Sequence, residues 1–298
     1  MDNRAEVREF LASRRARLTP DRAGLPAYGG NRRVKGLRRE EVALLAGVSI
    51  DYYVRMERGN LAGASESVLE GVADALQLDD AEREHLFALA RAAGPAPRRS
   101  RPAATSVRPP LQQVLDAITD APAWIRNGRH DILAVNTLAR ALYSPVLSSP
   151  VSAPTKGRPA NTTRFMFLDP AAREFFIDYD RMAADAAAML RLEAGRSPHD
   201  GELHALVGEL STNSELFRQQ WASHNVKFHR SGRKRLRHPV VGALDLSFEA
   251  MELPSDPDLR LNIYTADPNT PTSDGVKLLA SWAATAEQAG ELASLHVR

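Results

Sequence analysis

Asp51, Tyr52, Arg55 and Arg58 fall within one short stretch, LRREEVALLAGVSIDYYVRMERG (37–59), at spacings that a helix gathers on one side. With Tyr53 turned inward, a step of about 100° per residue places Met56 within about 60° of it, on the same buried side. Asp51, Arg55 and Arg58 then face outward, with Tyr52 and Val54 on the flanks. Such a row is hydrogen-bonding chemistry and holds no nucleophile. An arginine forks onto two acceptors, a carboxylate accepts from an amino group, and a tyrosine reaches a phosphate or a methyl group. The major groove of B-DNA offers all of these partners. Arg55 suits guanine O6 and N7, Asp51 the cytosine amino group, and Tyr52 a phosphate or a thymine methyl. Just upstream, Arg32, Arg33, Lys35, Arg38 and Arg39 are spaced to meet the sugar–phosphate backbone.

The elements that must position these side chains are two helices crossing at a sharp turn. Ala43 permits a close crossing, Gly47 suits a left-handed turn residue, and Val48 is an apolar plug. Ser49 is a good N-cap for the second helix and is counted with the DNA-facing residues, while Asp51 favours the positive end of that helix. Val42, Ala43, Ala46, Val48, Tyr53 and Met56 are expected to bury. Around this hairpin, Val7, Phe10, Leu11 and Leu18 form one helical face and Val68, Leu69, Val72 and Leu76 another, with Ser65 or Ser67 as cap. AEREHLFALARAAG follows, and the region reads as five helices. Residues 1–58 hold 13 Lys/Arg against 8 Asp/Glu although the whole chain is only +2. That local excess is the footprint of a nucleic-acid-binding end.

GPAPRRSRPAATSVRPP (94–110), with five prolines and four arginines, reads as a semi-extended linker. The expected domains are therefore 1–93, a helical head, and 111–298, joined by 94–110. APAWIRN and DILAVN around GRH form an expected hairpin. DPAAREFFIDYDRMAADAAAMLRLEAG and DGELHALVGELSTNSELFRQQWASHN each read as one long helix. NVKFHR, KRLRHPV, GALDLSFEAMEL and LRLNIYTAD read as four more strands, and a final helix follows from Asp274. The second Pro/Ser stretch, 144–163, is expected to be a long mobile loop. The fold class is an all-α bundle followed by an α+β domain with an antiparallel sheet. The absence of cysteine, of an 18-residue apolar run and of a signal-like N-terminus points to a cytoplasmic protein with no membrane contact.

The second half shows no nucleophile elbow, P-loop or dinucleotide fingerprint, so no enzymatic activity and no cofactor are expected. Five of the eight histidines lie between 199 and 238, but the five-residue spacings of His199 and His204, and of His224 and His229, fit no metal motif. An apolar cavity with a few polar anchors is the constructive reading. Its candidate lining is Trp124, Phe165, Phe167, Phe176 and Trp221, with Phe175 and Met182 nearby and Asn136 and His224 as polar members. Aromatic residues at helical spacing are more often plain core. In RSGRKRLRHP, Arg233, Arg235 and Arg237 share one side of a strand, and Lys234 and Leu236 the other.

GLRREEVALLAGVSIDYYVRMERG resembles the helix-turn-helix of XRE-class bacterial regulators and, more narrowly, of the MmyB-like transcription regulators. FLASRRARLTPDRAGLP and VLEGVADALQLDDAEREHLFALA fit the same head. LDPAAREFF, LVGELSTNSELFRQQWASHNV and KRLRHPVVGALDLSFEAMELPSDPDLRLNIYTAD are similar to the family's C-terminal domain. NLAGASE and the 144–163 stretch depart from the pattern. The resemblance implies a PAS-like fold for the second domain and a lipid-like (fatty-acid-like) or other small ligand, with Asn136 or His224 holding its head group. The expected protein is a sequence-specific regulator that binds double-stranded DNA as a homodimer, with Leu278, Leu279 and Trp282 among the dimer contacts. An antitoxin-like or anti-sigma-like interaction module carrying the same head is the competing class.

Overall fold

The computed structural model describes residues 2–25, 34–94, 104–155 and 157–288. It divides into two compact units. The first is Met1–Ser100 with Ala187–His204 and Gln219–Phe228; the second is Arg101–Ala186, Ala205–Arg218 and His229–Arg298.

Five helices build most of the first unit: α1 (Asn3–Arg17), α2 (Arg39–Leu45), α3 (Ile50–Glu57), α4 (Glu66–Ala75) and α5 (Asp80–Ala92). Side-chain caps at Asp2, Ser49, Ser65 and Asp79 start four of them, each accepting from a backbone N–H of the first turn. Glu82 returns the bond to the Asp79 N–H, closing a capping box. Gly47 takes φ 68° at the α2–α3 turn. Gly59 (φ 97°) ends α3 where a Cβ would lie 2.4 Å from the carbonyl oxygen of Arg4, so only glycine lets α3 abut α1. Val7, Phe10, Leu37, Val42, Tyr53, Met56 and Val72 are fully buried and form one core.

The second unit begins with α6 (Pro109–Asp116), whose two prolines occupy the helix start, where a missing N–H costs nothing. Then come β1 (Ala123–Asn127), β2 (Asp131–Val135), α7 (Thr137–Leu142), α8 (Ser144–Ser148), β3 (Ala160–Asn161), α9 (Thr162–Leu168) and α10 (Ala172–Phe175). After these follow α11 (Tyr179–Arg196), α12 (Gly201–Asn213), α13 (Glu215–Ala222), β4 (Ser231–His238), β5 (Gly242–Leu253), β6 (Asp256–Thr265) and α14 (Pro271–Gln288). The sheet is antiparallel throughout, in the order β3-β2-β1-β6-β5-β4. Alternation assigns its two faces. Ile125, Ala134 and Leu261 pack with Leu111 and Leu115 of α6. Trp124, Asn262, Tyr264, Phe248 and Lys234 share the other face.

Four expectations are corrected. NVKFHR is not a strand: Val226 enters the first unit's apolar core, Phe228 packs against it, and regular pairing starts only at Ser231. The helix expected over 169–195 is broken at 176–178, because Phe176 bridges to Leu236 and the Ile177 N–H donates to the Arg235 carbonyl at 3.1 Å. The helix expected over 200–225 is interrupted at Ser214, whose hydroxyl caps α13 by accepting from the Phe217 N–H at 3.2 Å. The 144–163 stretch carries α8 and β3, and Ser152, which is 1% exposed, anchors it to the Val146 carbonyl at 2.6 Å. Among the described residues no helix is long and apolar enough to cross a membrane.

Candidate functional site

On α3 the inward and outward sides divide as the helical period requires. Tyr53 and Met56 are fully buried, Tyr52 is half-buried, and Asp51, Arg55 and Arg58 are exposed. The Arg55 guanidinium stacks 4.5 Å from the centre of the Tyr52 ring, which restrains a long side chain before any partner arrives. Among the described residues no carboxylate pairs with Arg55, Arg58 or Lys35. Arg38 differs, lying 3.2 Å from Glu40. Ser49 accepts from the Tyr52 N–H at 3.2 Å and so works as the cap. Leu44 and Ile50, 72% and 52% exposed, flank the turn as apolar surface that the helical pattern alone did not mark. Arg32 and Arg33 lie outside the described residues.

Glu57, unmarked by sequence reasoning, seats α3. Glu57 is 2% exposed, and its carboxylate pairs with Arg15 of α1 (2.7 and 3.1 Å) and with Arg39 of α2 (3.1 and 3.2 Å). Arg15 also donates to the Leu37 carbonyl at 2.9 Å. Burial alone would raise the Glu57 pKa, but the hydrogen bonds and charges of Arg15 and Arg39 outweigh it and hold the carboxyl below its usual range. Arg39 thus grips α3 while keeping an exposed edge.

The same unit holds His85 and Glu6 in its interior. Burial pushes the His85 imidazole below its usual pKa despite the nearby Glu6. Burial would raise Glu6, but His224, His85 and Arg191 together bring it far below the carboxylate range. A folded pKa lower than the unfolded one means that the unfolded chain binds more protons, so stability is lost as pH falls. Urea midpoints of the first unit are therefore expected to decline in two stages. The first begins below about pH 6.5, as unfolded His85 protonates, and the second below about pH 4.3, as Glu6 and Glu57 do. A flat profile from pH 8 to 5 would contradict the His85 contribution.

In the second unit, one face of the sheet gathers polar groups beneath aromatic ones. The Tyr143 and Tyr264 hydroxyls are 2.7 Å apart, and the Lys234 ammonium donates to them at 3.4 and 3.1 Å. Lys234 is 6% exposed and has no carboxylate partner among the described residues. The Trp124 indole N–H and the Asn262 side-chain carbonyl, both buried, also lack a hydrogen-bond partner there. Trp124 lies 5.2 Å from the Tyr143 ring, and Phe165, Phe175 and Phe176 extend the cluster at centroid distances of 4.9 to 6.1 Å. His130, fully within this interior, is driven well below its usual pKa by burial and then by the charges of Arg126 and Lys234. The interior near Lys234 is therefore electropositive, and the Trp124 N–H there meets no protein acceptor among the described residues.

The structure does not unite all the ligand-facing residues expected from sequence. Asn136 is a structural residue: its carbonyl accepts from Ala123 and Ala139 (3.0 and 2.8 Å) and its amide donates to Ile118 and Ala121 (2.6 and 2.8 Å), leaving no capacity for a ligand. Phe167 packs edge-on against Phe217 at 5.0 Å. Trp221 and His224 cluster with the first unit, where His224 Nε2 lies 2.9 Å from Glu9. Lys234 and Tyr264 were missed; the burial of Lys234 was legible only as the inward side of an alternating strand. Arg233 and Arg235, on its outward side, pair with Asp245 (3.0 Å) and Asp178 (2.8 Å).

Two family models match the chain. One, described as the MmyB-like transcription regulator ligand binding domain, covers residues 107–279, more than half of the 298. The other, a helix-turn-helix domain, covers residues 6–86. Both describe regulatory modules and neither describes an enzyme. No curated protein matches the sequence.

Proposed function

Because the chain belongs to the family of MmyB-like transcription regulators, we propose that α3 reads specific double-stranded DNA and that a small acidic, fatty-acid-like ligand on the sheet of the second domain governs that reading. The boundary between the two functions is placed in the 94–110 stretch. The observation that carries the DNA assignment is the outward row of α3: exposed Asp51, Arg55 and Arg58 without an internal ion pair among the described residues, beside half-buried Tyr52. Arg55 reads guanine and Asp51 cytosine, Tyr52 and Ile50 meet phosphate or a thymine methyl, and Lys35, Arg38 and Arg39 track the backbone, with Arg32 and Arg33 extending that track. One short helix reads only a few base pairs, so the functional species is a homodimer on a two-part site. Leu278 of α14, 63% exposed, is available to such a contact, whereas Leu279 is fully buried.

The testing experiment selects duplexes from random-sequence DNA with the full chain and compares variants on the winners. Arg55→Ala is expected to lower discrimination against random duplex by about 1–3 kcal/mol with unchanged thermal stability. Arg38→Ala is expected to weaken selected and random duplexes alike and to reduce the salt slope by about one unit. Equal discrimination by Arg55→Ala and the unaltered chain would refute the α3 assignment.

A further inference from the structure

The first unit contains more than the five head helices, since Ala187–His204 and Gln219–Phe228 cluster with it. Both segments lie inside the region matched as ligand binding domain. They enter the head's own core: Leu192 and Val226, 4% and 8% exposed, belong to the same apolar cluster as Val7, Phe10 and Leu86. Gly195 lies so close to His85 of α5 that a Cβ there would be 2.6 Å from the ring Nδ1.

At the middle of this packing sits a buried ionic cluster centred on Glu6 of α1. Arg191, 1% exposed, donates to the Glu6 carboxylate and to the Trp221 carbonyl, and its guanidinium lies 4.1 Å over the Trp221 ring. His85 Nε2 and His224 Nδ1 each lie 3.5 Å from the same Glu6 oxygen. Arg14, 2% exposed, donates to the His224 carbonyl and pairs with Glu82 at 3.0 Å. Arg196 pairs with Glu84 of α5 at 2.6 Å. Buried ion pairs of this kind contribute little net stability over an apolar filling, yet they penalise any arrangement that separates the partners. The cluster therefore selects one seat for Arg191.

α11 is one continuous helix, yet its residues through Ala186 cluster with the second unit and those from Ala187 with the first. We propose that this helix is the route by which the sensing domain acts on the DNA-binding head, with Glu6–Arg191 as its clamp. A displacement of α11 changes the pairing at Glu6 and hence the seat of α1. α1 in turn fixes α3, through Arg15–Glu57 and the close approach of Arg4 to Gly59. Two discrete arrangements of a packed charged contact are the physical means by which one site biases another. The inference rests on the regulator function proposed above.

The test uses the full chain carrying Arg191→Met, and a second form carrying Glu6→Gln with Arg191→Met, which leaves no unpaired buried ion if the single variant unfolds. Amide exchange and affinity for the duplexes selected by the unaltered chain are read together. The double variant is expected to keep protection in β4–β6, to exchange faster in α1, and to change duplex affinity by at least about fivefold, the lower end of ordinary coupling. Unchanged protection of α1 would overturn the clamp, as would faster exchange with unchanged duplex affinity. Failure of the unaltered chain to select any duplex would instead remove the regulator function itself.

Discussion

Glu57→Ala is expected to destabilise the helical head by about 3–5 kcal/mol, the cost of removing one partner from a buried charge pair. The reason is geometric. Glu57 stands on the inner side of α3 and is the shared acceptor for Arg15 from α1 and Arg39 from α2. The Arg15 side chain is only 16% exposed, so truncating its acceptor strands a guanidinium away from water. Arg39, at 54%, can turn to solvent and loses less. Urea unfolding of the full chain, resolved by amide exchange in α1 and β5, checks this: the loss should appear in α1 and leave β5 unchanged. Glu57→Gln keeps an acceptor without the charge and should lose less than Glu57→Ala. A loss below about 1 kcal/mol would class the pair with exposed surface bridges and remove its role in seating α3.

Lys234→Met should weaken binding of an alkyl carboxylate by about 2–5 kcal/mol, as for truncating one side of a buried charge pair, while leaving the ligand-free fold as stable as before or more so. The two signs have one cause. Without a ligand, Lys234 is a buried ammonium whose hydrogen bonds among the described residues reach two hydroxyls and no carboxylate, an expensive arrangement that an unbranched apolar side chain of similar length relieves. With an acidic head group beside it, the same ammonium acquires its counter-ion, and the Trp124 N–H gains an acceptor. Calorimetry with n-alkyl carboxylates and the n-alcohols of equal chain length separates head group from tail. The unaltered chain should prefer the acid, and Lys234→Met should lose that preference. Equal binding of acid and alcohol by the unaltered chain would rule out the charged head group.

How far each site was legible depended on the range of the signal. The split of the adjacent tyrosines, Tyr53 inward and Tyr52 toward the outer row, follows from the helical period and local caps, and the structure keeps it. The hairpin around Gly128 follows from its turn residues between two strand-like runs, and the shared side of Lys234 and Leu236 follows from strand alternation. NVKFHR shows where pattern misleads: its apolar residues do bury, but against helices, and two-residue alternation cannot name the surface it meets. Asn136 was expected to anchor a ligand, yet it caps α7, because a side chain at a strand end finds free backbone groups nearby.

The sequence by itself determined the helical head, the outward chemistry of α3 and an antiparallel sheet, since caps, turns and periodicity act over a few residues. Only the tertiary structure decided which charges meet. Glu57 lies 42 residues from Arg15, and Glu6 lies 185 from Arg191. Period tells which side of a helix is buried but not what stands opposite it. The partners of a buried charge are chosen by chain packing across the fold, and there the seat of α3 and the surroundings of Lys234 were settled.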